Sequence, residues 1–230
     1  SGAPVSSREA EVMDLDEVAF RAGRVVAKCY GYLRVPVDDM RMQVTKEGGI
    51  NHEEIALQDI AEQVAGSMHD ACYYLVGSGS TTAVLMDQLG LENTLLGIDI
   101  VRHGELVASD VSEQQILDII GAEPAKLIIT VIGGQGHVFG RGNQQLSPSV
   151  IRRVGRDNII IVATNEKLRS LRGRPMIADT GEADLDRQLA GLYPVVTGYQ
   201  QHTLYRLNMR PGETPADTSG NQVANKETQR

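Results

Sequence analysis

Two glycine-rich segments carry the residues of this chain whose types and spacing best suit the binding of an anion. The first segment consists of Gly77, Ser78, Gly79, Ser80, Thr81 and Thr82. It stands between a short apolar run and a helical pattern, and the hydroxyls and free N–H groups of such a helix start are good phosphate donors. The alternative is a tight strand-to-helix turn that needs glycine and a hydroxyl cap. Neither a GxxxxGK nor a GxGxxG pattern is present, so no cofactor is indicated by this segment alone.

The second segment combines five glycines in ten residues with side chains that can bind a nucleotide. Glycine is costly to order, so a loop this rich in it is typical of a functional surface. Arg141 offers a bidentate guanidinium to a phosphate, and amides can bond a ribose or a base. His137 can exchange protons near neutral pH, or alternatively is a loop histidine bonded to the backbone. The candidate ligand-binding residues here are Gly133, Gly134, Gln135, Gly136, His137, Arg141, Asn143 and Gln144.

Metal sites and nucleophiles leave no comparable pattern. The five histidines show no HExxH spacing, and Cys29 and Cys72 form no CxxC pair. A GxSxG elbow is also absent from the sequence. We therefore predict no protein-held metal, and the sequence names no catalytic residue.

Short apolar runs alternate with helical patterns after residue 50 and predict the elements that hold both segments. This alternation is typical of an α/β fold with a mainly parallel sheet and helices on both faces. Ligands of such sheets bind outside the carboxyl ends of the strands, where both glycine segments are expected to lie. We predict an α/β ligand-binding domain over residues 8–207, with a β-hairpin segment, residues 8–36, packed on it. Residues 1–7 are predicted to be flexible, and 208–230, nearly free of large apolar groups, to be disordered.

Composition and charge exclude several classes of protein. The 230 residues carry a formal net charge of −8 and 4% aromatics without Trp, which argues against a nucleic-acid-binding surface. The acidic excess lies in residues 51–125, whereas residues 126–207 hold 11 basic and 6 acidic side chains. That basic stretch surrounds the second glycine segment and favours an anionic ligand. No apolar run is long enough to span a membrane, so we expect a cytoplasmic protein without membrane or nucleic-acid partners.

An ordered series of motifs resembles the carboxyl-terminal part of the ATP-NAD kinase family. The most specific is Ile132–Ser147, IGGQGHVFGRGNQQLS, and the resemblance covers about residues 8–207. The nearest variant is the bacterial and archaeal type related to the acetoin-catabolism X protein. The other motifs are Glu11–Asp16 (EVMDLD), Tyr30–Pro36 (YGYLRVP), Gly77–Thr82 (GSGSTT), Leu96–Arg102 (LGIDIVR), Asp157–Thr164 (DNIIIVAT) and Val196–Tyr199 (VTGY).

The resemblance implies phosphoryl transfer from ATP to the 2′-hydroxyl of NAD, which yields NADP. ATP and NAD would be the substrates, and Mg²⁺ and a cytoplasmic homo-oligomer are implied by the family. The family's Gly-Gly-Asp-Gly-Thr hallmark, whose aspartate is the base, is absent; Gln135 occupies the similar place and an amide is no general base. We therefore expect this chain to be the carboxyl-terminal part without the amino-terminal hallmark domain, and inactive alone.

Two other function classes fit the glycine segments. A GSGSTT loop with a later GGQGH loop is similar to sugar-phosphate isomerases and deaminases of the ribose-5-phosphate isomerase type, although their acidic catalytic run is missing here. A ligand-sensing module without chemistry is the other alternative. In each case the expected partner is a small nucleotide or sugar-phosphate ligand.

Overall fold

Eleven strands and six helices make up the described part of the chain. The computed structural model describes residues 7–15, 27–36, 50–69, 71–94 and 96–209. The strands are β1 (Ser7–Leu15), β2 (Ala27–Pro36), β3 (Tyr73–Val76), β4 (Asp99–Arg102), β5 (Glu105–Ala108), β6 (Ala125–Thr130), β7 (His137–Phe139), β8 (Ile159–Val162), β9 (Ile177–Ala178), β10 (Gly191–Gly198) and β11 (Gln201–Leu207). The helices are α1 (Ile50–Gly66), α2 (Ser80–Gln88), α3 (Glu113–Ile120), α4 (Pro148–Val154), α5 (Asn165–Ser170) and α6 (Ala183–Leu189).

A seven-stranded mixed sheet forms the centre of the domain, in the order β11-β10-β8-β6-β3-β4-β5. The four inner strands β10, β8, β6 and β3 are parallel to one another. At one edge, β11 pairs antiparallel with β10. At the other edge, β4 pairs antiparallel with β3, and β5 pairs antiparallel with β4. A turn at His103 and Gly104, both with positive φ, joins β4 to β5, which is the conformation that tight hairpins prefer. The predicted α/β fold is confirmed, with its parallel part confined to the middle of the sheet.

Helices cover both faces of this sheet because the inner strands are apolar on both sides. In β6, Leu127 and Ile129 contribute to one buried cluster and Ile128 to the other, as the two-residue period of a strand requires. The first cluster includes apolar residues of α3, α4, α5 and α6. The second includes apolar residues of α1 and α2. This double burial explains the continuous apolar runs in the sequence.

Local sequence signals set the ends of two helices. The Ser112 side chain accepts a hydrogen bond from the backbone N–H of Gln115, whose side chain accepts one from the Ser112 backbone N–H. This capping box begins α3. At the start of α4, the Ser147 hydroxyl accepts a hydrogen bond from the backbone N–H of Val150, and Pro148 lies in the first turn. Both caps follow from the local sequence, which has SEQQ at residues 112–115 and SP at residues 147–148.

The terminal segments differ slightly from the predicted boundaries. The strands β1 and β2 pair antiparallel from Ser7 opposite Pro36, so Ser7 belongs to a strand and not to the flexible segment. At the other end, Asn208 bonds through its side chain to the backbone of Ala178, and Met209 is buried. Asn208 thus bonds to β9, and the folded body extends to these two residues. Residues 1–6, 16–26 and 210–230 lie outside the described residues, so the predicted disorder and the packing of the hairpin stay predictions.

Candidate functional site

The carboxyl ends of three neighbouring parallel strands bring distant segments together. Strand β3 ends at Val76, β6 at Thr130 and β8 at Val162. Because β6 lies between β3 and β8, the segments that follow these strands meet at one edge of the sheet. The first glycine segment, the second glycine segment and the start of α5 are those three segments. Their meeting is the geometry in which α/β proteins bind ligands.

The first glycine segment is shaped mainly by its neighbours in the protein. Gly79 has φ 130°, and a Cβ there would lie 2.7 Å from Cγ2 of Thr130. The close approach of β6 therefore accounts for a glycine at this position. The Thr82 hydroxyl donates back to the carbonyl of Gly79 at 2.9 Å and is fully buried, so it closes the turn instead of facing outward. The Thr82 hydroxyl is therefore used within the protein, and the part of Gly79 and Thr82 in ligand binding stays a prediction.

Helix α2 nevertheless begins at this edge without a side-chain cap. The residues of its first turn are Ser80, Thr81 and Thr82, and Ser80 is exposed. N–H groups at a helix start carry a partial positive charge that favours an anion. An anion is therefore electrostatically favoured here.

Lys167 adds a full positive charge to the same place. It lies in the first turn of α5, where its backbone N–H donates to Oγ1 of the N-cap Thr164 at 3.2 Å. Its Nζ donates to Oγ1 of Thr81 at 2.6 Å and lies 3.4 Å from Oγ1 of Thr130. One ammonium group thus reaches from the end of β8 to the end of β6 and to the start of α2. We call Lys167, Thr81 and Thr130 the Lys167 cluster.

The sequence identified Lys167 only as one member of a basic stretch. Its partner Thr81 is 86 positions away, so no local pattern could have joined them. The one available signal was its position three residues after Thr164, at the start of a helix that follows a buried strand. A lysine at that position projects over the carboxyl edge of the sheet, where ligands are expected.

The two glycine segments are in contact with each other. The Ser78 hydroxyl donates to the carbonyl oxygen of Gly142 at 3.3 Å, across 64 positions of sequence. Gly134 donates its N–H to Ser170 Oγ at 3.2 Å, and that hydroxyl donates to the carbonyl of Lys167 at 2.6 Å. Both segments are therefore linked to α5 or to each other, as a single site would require.

The second glycine segment contains a short strand in addition to the loop that its composition predicts. Residues His137–Phe139 form β7, which pairs in parallel with β9. Asn143 is buried, and its Nδ2 donates to the carbonyl of Val138 at 2.8 Å while its Oδ1 accepts from Gly140 N–H at 3.2 Å. Asn143 thus braces the segment with both polar atoms of its amide, and its part in ligand binding stays a prediction. Gln144 is exposed.

A cleft of about 390 Å³ opens between the second segment and the connection from α5 to β9. Four predicted site residues line it, namely Gly134, Gln135, His137 and Arg141. The remaining lining residues are Leu171, Arg174, Pro175 and Ile177. We call this space the Arg141 cleft. It contains two guanidinium groups and no carboxylate among its lining side chains.

His137 is in a setting that disfavours its charged form. Burial lowers the pKa of its imidazole, and the positive charge of Arg141 lowers it further, while Asp179 opposes both. The imidazole is therefore neutral at pH 7. Its Nδ1 atom, like Oε1 of Gln135, is buried without a hydrogen-bond partner in the described part of the chain. In the described part of the chain, Nδ1 of His137 therefore makes no hydrogen bond to the backbone.

No set of residues in the described ranges fits a protein-held metal ion. Within those ranges, no three His, Cys, Asp or Glu side chains come close enough to hold one. The buried Asp99, whose carboxylate accepts the N–H groups of Thr94 and Asp110 at 2.6 and 3.0 Å, is occupied in holding a turn. The described residues therefore do not form a Mg²⁺ site of their own. In the same ranges, no helix has both the length and the apolar character needed to cross a membrane.

The fold and the clustered donors define an α/β domain of the class that binds ligands outside the carboxyl ends of parallel strands. A family model described as the ATP-NAD kinase C-terminal domain matches residues 69–207. The match covers more than half of the chain, both glycine segments and Lys167, and the chain therefore belongs to this family. No curated protein and no solved structure matches the chain.

Proposed function

We propose that this chain is the nucleotide-binding carboxyl-terminal portion of an ATP-NAD kinase-type enzyme, which transfers a phosphoryl group from ATP to NAD to give NADP. The observation that carries the proposal is the Lys167 cluster, in which an ammonium group meets the uncapped start of α2. Membership of the ATP-NAD kinase C-terminal domain family supports ATP and NAD as the substrates.

Phosphoryl transfer depends mostly on positioning and on stabilising charge. The Lys167 ammonium supplies a compact positive charge, and the N–H groups of α2 supply hydrogen bonds to phosphate oxygens. Thr81 and Thr130 hold the ammonium group in place through their hydroxyl oxygens. These residues bind and orient a phosphate, which is the contribution we assign to this chain.

The proton of the attacking hydroxyl needs a base that we do not assign to this chain. Gln135 carries an amide in the GGQG sequence, and an amide does not accept a proton at neutral pH. The described residues likewise include no group of three His, Cys, Asp or Glu side chains that could hold Mg²⁺. We propose that transfer requires the family's GGDGT-bearing domain in addition to the residues described here.

Calorimetric titration of the chain with ATP, NAD and ribose 5-phosphate tests the proposal. A charge-assisted hydrogen bond contributes about 1.5–3 kcal/mol, which corresponds to about 10- to 150-fold in Kd. We expect ATP or NAD to bind and Lys167→Met to weaken that binding by this factor. Lys126→Met is the matched control, because Lys126 lies at the opposite, amino-terminal end of β6.

Several outcomes would contradict the proposal. Binding of ribose 5-phosphate alone would favour the sugar-phosphate enzymes, and binding of none of the three probes would favour neither enzyme class and would overturn the nucleotide site. If Lys167→Met and Lys126→Met lost the same amount of affinity for ATP or NAD, Lys167 would not belong to the binding site. NADP formation by the chain alone would refute the requirement for a further domain.

The acetoin-related subtype, the homo-oligomer and the cytoplasmic location follow from the family resemblance and the composition. We retain them as proposals. Sedimentation velocity at several protein concentrations tests the oligomer directly, since a species of monomer mass throughout would contradict it.

A further inference from the structure

The Arg141 cleft is a second place where the chain can hold an anionic ligand. None of the Lys167 cluster, that is Lys167, Thr81 and Thr130, lines the cleft. The two places lie at opposite ends of α5, with Lys167 in its first turn and Leu171 at its C-cap. Four residues of helix rise about 6 Å, so the two places are neighbours. Two ligands, or two parts of one ligand, fit this arrangement.

We propose that the Arg141 cleft binds a nucleoside monophosphate unit, with its phosphate at Arg141 and Arg174 and its base on the apolar floor. The floor is formed by Leu171, Pro175 and Ile177. The identity of the ligand as a nucleotide rests on the proposed function, whereas the existence of this second site rests on the cleft itself.

The two arginines give the cleft its affinity for a phosphate. Arg174 donates from Nε to the carbonyl of Leu171 at 3.1 Å and from Nη2 to the carbonyl of Gly134 at 2.9 Å. Two of its five N–H donors are thus used to fix the guanidinium, and the others remain for a ligand. Arg141 is exposed and has no hydrogen-bond or ion-pair partner in the described part of the chain. No carboxylate is among the lining residues, and Asp179, which acts on the His137 ring, lies outside the lining.

The size and floor of the cleft fit one nucleotide unit. Ligand sites usually measure roughly 300–1,000 Å³ and combine an apolar lining with a few polar groups. At about 390 Å³ the cleft lies near the lower limit, which suits a single base with its ribose phosphate. A sugar phosphate alone would leave the apolar floor uncovered.

Two buried polar atoms beside the cleft have no hydrogen-bond partner in the described part of the chain. A buried polar atom without a hydrogen bond is destabilising, so a ligand that bonds it gains affinity. Gln135 Oε1 and His137 Nδ1 are both covered by protein, so a ligand reaches them only if their turn re-orients. That turn, Ile132–His137, is closed by hydrogen bonds from Ile132 N–H to the His137 carbonyl and from Gly136 N–H to the Ile132 carbonyl. A base or ribose that bonds these two atoms would compensate the opening of the turn.

Titration of the full chain with AMP, followed by calorimetry and by the NMR signals of the His137 ring, tests this inference. In the Lys167→Met background one binding event should remain. Arg141→Gln should weaken that event by about 10- to 150-fold, which corresponds to one charge-assisted contact. Arg169→Gln, which removes an equal charge from an exposed position of α5 outside the cleft, should change it by less than about 3-fold. The His137 ring signals should shift on addition of AMP.

The controls separate this inference from the proposed function. If Lys167→Met abolishes all AMP binding, the second site does not exist, although the proposed function stands. Equal effects of Arg141→Gln and Arg169→Gln would mean that Arg141 acts only through net charge, which overturns the inference. Ribose 5-phosphate that binds as tightly as AMP would show that no base occupies the floor. His137 signals that stay unchanged at saturation would exclude the cleft as the place of binding.

Discussion

Replacing Gly140 by alanine should separate the two short strands that shape the Arg141 cleft. Gly140 has φ +86° and directly follows β7, and a Cβ at this position would overlap the carbonyl oxygen of Asp179, next to β9. The strands β7 and β9 carry His137 and Ile177, which are paired and both line the cleft. Since side chain and carbonyl cannot occupy the same space, the Gly140→Ala protein must move one segment away from the other.

Gly142 provides a matched control in the same segment. Its φ is +71°, but nothing lies within 4 Å of a Cβ built there. Alanine with positive φ costs about 1–2 kcal/mol, and the lower entropy of the unfolded chain offsets about 0.4–1 kcal/mol of this. The overlap at Gly140 adds an overpacking cost of about 1–3 kcal/mol. Gly140→Ala should therefore be less stable than Gly142→Ala by about 1–3 kcal/mol.

Thermal unfolding followed by circular dichroism measures this difference. For a domain of this size, 1 kcal/mol corresponds to about 2–4 °C in Tm, so the two alanine variants should differ by about 2–12 °C. AMP binding to the cleft should weaken in Gly140→Ala and persist in Gly142→Ala. Equal Tm values for the two variants would refute the reasoning, because both share the positive φ and only one has the overlap.

Three further predictions concern buried polar groups. Asp99→Ala removes the acceptor of two N–H groups and should lower the free energy of unfolding in urea by about 2–4 kcal/mol. Asp99→Asn keeps one acceptor oxygen and should lower it by less, so equal unfolding midpoints for the two variants would contradict this prediction. Asn143→Ala removes the two hydrogen bonds that brace the second glycine segment and should lower the free energy of unfolding by about 1–3 kcal/mol. The control Gln144→Ala, at an exposed position, should lower it by less than about 0.5 kcal/mol, and equal unfolding midpoints for the two variants would argue against the brace. Because the pKa of His137 is lowered in the folded state, folding releases a proton there, and stability should fall as the pH drops below about 6.5; His137→Gln should flatten this dependence, and parallel profiles would disprove the assignment.

The elements of the fold were largely predictable because their signals are local. The capping box of Ser112 and Gln115 and the Ser147 cap with Pro148 occur where the sequence places them. The apolar runs of β6 and β8 predict strands that are buried on both faces, as found. The antiparallel direction of β4 was not predictable, because burial on two faces favours no particular partner direction and only the pairing decides it.

The candidate site was predictable in its position and less so in its members. Both glycine segments follow buried parallel strands, as expected, and Ser78 of one contacts Gly142 of the other. Composition did not predict the contacts that Gly79, Thr82 and Asn143 make, because it cannot distinguish a group that faces a ligand from one that bonds to a neighbouring backbone; their part in ligand binding stays a prediction. In each case the neighbour is part of the protein.

The sequence by itself determined an α/β domain with glycine-rich segments after its strands. It also determined the resemblance to the ATP-NAD kinase family. Such features depend on residue type and on spacings of a few positions. Tertiary structure alone decided that Lys167 meets Thr81 and that Gly134, Arg141, Leu171 and Arg174 enclose one cleft. The contacts between separate segments join residues that are 30 to 86 positions apart, and their geometry depends on the order in which the strands pair.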